Sequence, residues 1–119
     1  MFTKSANILA AEIWNALHSE TGSGIISTRK WTHVPKTGFA VDLAEIQWPN
    51  RLNAARILDW VIEHRVGIDY VPNAYIGAHR SPDFGDSIFV VHAFGSYPQA
   101  VEFAGQNKAP YIYKLEEAV

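Results

Sequence analysis

Two stretches decide how this chain folds: Ala74-Tyr75-Ile76-Gly77-Ala78-His79 and Ser87-Ile88-Phe89-Val90-Val91-His92-Ala93, separated by Ser81-Pro82-Asp83-Phe84-Gly85-Asp86. β-branched and aromatic side chains favour extended backbone in both, while Pro, Asp and Gly between them supply turn chemistry. The pair predicts an antiparallel hairpin. A turn centred near residue 85 or 86 sets His79 opposite His92, where cross-strand Cβ atoms approach to about 5 Å. A one-residue slip sends the two imidazoles to opposite faces, and the sequence leaves that register open.

Upstream, Asn50 or Asn53 can cap a helix running to about His64, with Ala54, Ile57, Leu58 and Val61 as its inner stripe. Trp48-Pro49-Asn50 stops the element before it, and Gly67 with Pro72-Asn73 forms the loop after it. Residues 38–43 alternate, with Phe39, Val41 and Leu43 on one side, as a strand does. Residues 24–28 are a shorter β-branched run, expected as the hairpin partner of 38–43. At the amino end, Ser5 caps a predicted helix over residues 6–19, in which Leu9, Ile13 and Leu17 recur at spacing four and Ala10 and Trp14 widen the stripe. Downstream, Ser96 caps a short helix with Pro98 in its first turn. Ala100, Val101, Phe103 and Ala104 give it an inner side, Asn107 ends it, and residues 109–115 read as a last strand.

The order αββαββαβ predicts an α+β fold, with a mainly antiparallel sheet of about five strands covered on one face by three helices. The chain has 119 residues, 48% of them hydrophobic and 18% charged, which suits a single compact domain over residues 1–119 and excludes disorder as its main state. Ten basic against 12 acidic side chains argue against a broadly basic nucleic-acid surface. The absence of cysteine removes disulfides, Cys-containing zinc sites, thiolate nucleophiles and iron–sulfur clusters. Glu12 interrupts the apolar run of residues 8–11 before a signal-peptide core forms, and no run approaches the roughly 20 residues of a membrane span, so a cytoplasmic location is expected.

Two constellations could carry chemistry. The loop over residues 28–36 gathers Arg29, Lys30, Trp31, His33 and Lys36, cations beside a stacking indole, as a phosphate or single-strand site requires. The same residues also suit an ordinary solvated loop with Trp31 folded onto the core. On the central hairpin, His79, Arg80 and His92 are the catalytic candidates, a set that a small hydrolase or nuclease could use. No HExxH, GxGxxG, Walker lysine or nucleophile-elbow serine accompanies them, so no metal site or cofactor is assigned. Trp48, at a loop edge, suits either a binding interface or burial beneath the following helix. Glu116-Glu117 is read as a solvated acidic end, and Trp14 and Trp60 as packing residues.

Tyr75-Ile76-Gly77-Ala78, Ile88-Phe89-Val90-Val91, the stretch Gln106-Asn107-Lys108-Ala109-Pro110-Tyr111-Ile112-Tyr113 and, upstream, Pro35-Lys36-Thr37-Gly38-Phe39-Ala40-Val41 resemble a family of small bacterial and phage proteins. That family carries a Y-x-G-A-W strand, a Y-x-D-V-S strand, a closing N-N-Q-x-A-I strand and a P-T-x-G-Y-x-V segment. The likeness spans residues 22–115 and departs at His79, in place of tryptophan, and at Val90-Val91-His92, in place of D-V-S. It implies a phage or mobile-element accessory protein, and no catalytic residues to carry over. Together with the aromatic loop edges, it favours a non-enzymatic protein-binding role, the partner being a host enzyme or defence complex. Hydrolase or nuclease activity and nucleic-acid binding remain the alternatives, and an exposed final strand could pair across a two-fold axis into a homodimer.

Overall fold

The computed structural model describes residues 4–30, 33–48, 51–69, 74–83, 85–109 and 111–115. Its elements are α1 (Ala6–Leu17), β1 (Ser23–Ser27), β2 (Gly38–Trp48), α2 (Ala54–Asp69), β3 (Ala74–Ser81), β4 (Gly85–Phe94), α3 (Tyr97–Gln106) and β5 (Ile112–Leu115). The fold is α+β, with all five strands antiparallel to their neighbours in the order β1-β3-β4-β2-β5. Caps follow the sequence: the Ser5 hydroxyl accepts from the Ile8 amide, Asn53 Oδ1 from Arg56 at 2.9 Å, and the Ser96 hydroxyl from Gln99. The alternative cap Asn50, together with Pro72-Asn73, Phe84, Pro110 and Glu116-Glu117, lies outside the described residues.

The β3–β4 hairpin forms as expected, but its register is centred on residue 83, with Ser81 opposite Gly85. Pro82 and Asp83 occupy the turn, so both strands run further toward it than the turn-forming composition of residues 81–86 suggested. The expected β1–β2 hairpin is absent: β1 pairs with β3, and β3 and β4 lie between β1 and β2. The long segment between β1 and β2 does not enforce local pairing, whereas the short turn of the central hairpin does. Strand β2 also continues past Leu43 to Trp48, through a one-residue shift against β4 between Leu43 and Ile46.

All three helices cover one face of the sheet. Ile26, Ile76, Ala78, Ile88 and Val90 meet Leu9, Ile13 and Leu17 of α1 and Ile57, Trp60, Val61 and Ile68 of α2. Beneath α3, Val41 packs with Ala100 and Ala104. The inner stripe of α2 is therefore rotated from the expected one, because Trp60 is buried while Ala54 lies outside and Leu58 is only half-buried. The other sheet face carries a smaller apolar cluster, Ala40, Tyr75, Val91 and Leu115, with Val34 of the β1–β2 connection packed on it. On that face the ring of Phe89 lies over Gly77, where a Cβ would collide with it.

The end of the hairpin is clamped to the start of α2. Asp86, with no exposure to solvent, accepts from Arg80 Nε at 2.8 Å, Arg80 Nη2 at 2.9 Å and the Leu52 amide at 2.8 Å. Burial opposes its ionisation, but the Arg80 and Leu52 bonds outweigh that penalty and hold its carboxyl below the ordinary value. Its contribution is thus complete above the ordinary carboxylate range and is lost as pH falls through the lowered pKa. Asp86→Ala, which strands the Arg80 guanidinium, is expected to lower unfolding free energy by about 3 kcal/mol in urea titrations. The apolar pair Arg80→Met with Asp86→Leu is expected to lose less, since no charge is left buried.

Candidate binding surface

The hairpin register decides the fate of the candidate catalytic set. His79 pairs with Ser87 and His92 with Ala74, so the two imidazoles alternate to opposite faces of the sheet. His79 is exposed on the side away from the helices. His92 is 8% exposed beneath α3, its ring 4.6 Å from that of Phe103. Arg80 is engaged by Asp86. The three candidates therefore share no pocket, and the geometric basis for joint acid–base work is gone. Among the described residues, no group of three or more histidines and carboxylates could hold a metal ion.

The basic loop is only partly displayed. Lys30 and His33 are exposed, Arg29 is half-buried with its charge acting on the Tyr75 hydroxyl, and Trp31 lies outside the described residues. Arg29 and Lys36 both have interaction partners within the protein. Beside them, Pro35, Thr37, Tyr75, Ala93, Phe94 and Gly95 line a cavity of about 190 Å³. Among the described residues, Thr37 and Tyr75 are its only polar side chains, and none of the loop cations lines it. Trp48 is half-buried and packs against the main core, the structural of its two expected roles.

A more open apolar surface lies on the helix layer. Asn7, Ala10, Ala11, Trp14, Ala54 and Leu58 line a groove of about 350 Å³ between α1 and α2. Trp14, expected to widen the inner stripe, is instead 39% exposed at the groove. Its indole stacks on His18 with centroids 3.8 Å apart, and His18 Nδ1 donates to the Trp14 carbonyl at 2.9 Å. That i,i+4 stack favours this orientation of the indole by about 0.2–0.5 kcal/mol. Ile8 and Ile62, also exposed on these two helices, extend the apolar character. Apolar periodicity alone gave no signal for this, since Trp14 falls beside the Leu9, Ile13 and Leu17 stripe and Ile62 one turn after Leu58.

Comparison with known protein families, with curated proteins and with solved structures returned no match. The surface must therefore be read from its own chemistry.

The burial of His92 makes stability depend on pH. Burial holds its pKa below the ordinary 6.5, and among the described residues its Nδ1 has no hydrogen-bond partner. The folded protein binds that proton less readily than the unfolded chain, so stability is full above the ordinary value and declines as pH falls below it. Chemical denaturation at pH 7 and pH 5 is expected to show a smaller decline for His92→Leu than for the parent. An equal decline in both would contradict the buried, neutral imidazole.

Proposed function

We propose that this protein is a non-catalytic binding module whose α1–α2 groove receives an apolar ridge of a partner protein. The observation that carries the reading is the groove lining: alanines, Leu58 and a part-exposed Trp14 stacked on His18, with Asn7 as the only polar side chain among the described residues. A small polar substrate needs several convergent hydrogen-bonding groups to fix its orientation, and among the described residues the groove offers only Asn7. A partner's side-chain ridge needs shape and apolar contact, and tryptophan at such a contact is a frequent energetic centre. The alanines let a partner backbone approach closely.

The occupant we infer is a different protein rather than a second copy. The sequence resemblance supplies the context we infer: a phage or mobile-element accessory protein acting in the cytoplasm on a host enzyme or defence complex. The basic loop takes no part in this reading, because two of its cations are engaged internally.

The test begins with capture from host lysate and continues with the purified captured protein. Trp14→Ala is expected to weaken its binding by about 2 kcal/mol or more in calorimetry, and Leu58→Glu to abolish it. Lys30→Glu, on the basic loop, should leave affinity unchanged. Capture of nothing, or of a protein that binds parent and Leu58→Glu equally, would overturn the proposal.

A further inference from the structure

Helix α3 is seated on the sheet apart from the other two helices. Of its ten residues only Ala100 and Ala104 are buried. They pack on Val41, with partly buried Phe94 and Phe103 beside them, in a cluster distinct from the one that joins α1 and α2 to the sheet. Two residues, Gly95 and Ser96, connect the helix to the end of β4. A Cβ added at Gly95 would meet nothing within 4 Å among the described residues, so this joint stands in open space.

His92 lies beneath this helix, on the helix side of β4, between Ala74 of β3 and Val41 of β2. Among the described residues its Nδ1 has no hydrogen-bond partner, and no neighbouring charge favours its protonation. Asp42 of β2, Tyr75 of β3 and Tyr113 of β5 alternate to the far face of the sheet, Asp86 is taken up by Arg80 at the other end of β4, and Glu102 of α3 and Lys114 of β5 are exposed. An imidazolium in that place carries a buried N–H with no oxygen to accept it. The face of Phe103 attracts a cation, but burial outweighs that attraction, since it lowers the ring's affinity for a proton.

We propose that α3 is a pH-released cover: protonation of His92 frees the helix from the sheet about the Gly95-Ser96 joint, while β3, β4 and the α1–α2 layer stay folded. Water can reach the imidazole by two routes. Moving β4 breaks its ladders with both β3 and β2, whereas lifting α3 breaks no ladder and uncovers two buried alanines. The second route costs less. Off the sheet a helix of ten residues is too short to persist, so release also melts it. The closed form keeps His92 neutral and the opened form restores its ordinary value of 6.5, so α3 is seated most firmly above pH 7 and is freed progressively as pH falls below 6.5. Asp86 stays ionised over that interval, because its carboxyl is held below the ordinary carboxylate value. Release bares Val41, Phe94 and Phe103, an apolar surface separate from the α1–α2 groove.

Native-state hydrogen exchange at pH 7 and pH 5, with each amide referred to its own intrinsic rate, tests this on the intact chain. Between the two, protection of amides 100–107 is expected to fall by about tenfold, within the roughly 25-fold that one such imidazole can supply over that interval, while β3–β4 amides keep most of theirs. His92→Leu and His92→Gln pack differently, but neither side chain takes up a proton, so in both variants α3 protection should no longer change with pH. His79→Gln, on the exposed face, should retain the parental response. Loss of α3 and β3–β4 protection in step, α3 protection equal at the two pH values in the parent, or a pH response that survives in both His92 variants would overturn the proposal.

Discussion

A carboxylate without solvent exposure, Asp86, ties three parts of the chain together: its own strand β4, Arg80 of β3 and the backbone amide of Leu52 ahead of α2. Those bonds fix which end of the central hairpin lies against the start of α2, and so where Ala54 and Leu58 stand relative to α1. The α1–α2 groove depends on that placement. A buried charge is costly on its own, which makes the clamp selective: an arrangement of hairpin and helix that leaves Asp86 unpaired is strongly disfavoured.

Alternation across the sheet then determines which side chains can cooperate. Residues 74, 76, 78 and 80 face the helices together with 92, 90, 88 and 86, and the intervening residues face away. His92 is consequently buried among apolar rings and His79 is solvated on the far side. What the fold leaves outside are apolar surfaces at its two ends, a concave groove between α1 and α2 and an edge strand beneath α3.

Much of this was legible in the residues, and the exceptions have physical causes. Local capping chemistry at Ser5, Asn53, Ser96 and Asn107 marks helix ends correctly, since a cap bond is made within a few residues of the side chain that makes it. The αββαββαβ order follows from periodicity for the same reason. Strand order does not: placing β3 and β4 between β1 and β2 is settled by contacts far apart in sequence, which composition cannot report. Register failed where turn-forming residues outnumbered the turn itself, so that Ser81 and Gly85 entered the strands and moved His92 away from His79. Trp14 and Leu58 were read as inward because apolar residues usually are. Trp60 took the core position instead, leaving Leu58 half-buried and Trp14 exposed at the groove that now forms the candidate site.

The bond between the Leu52 amide and Asp86 sets the position of the groove and is measurable by native-state hydrogen exchange. With the hairpin clamped to the start of α2, the Leu52 amide should exchange only through global unfolding, as slowly as the amides of the buried β3–β4 core, and should lose that protection in Asp86→Ala. Exchange of Leu52 at the rate of an unprotected loop in the parent protein would contradict the clamp and, with it, the position of the groove.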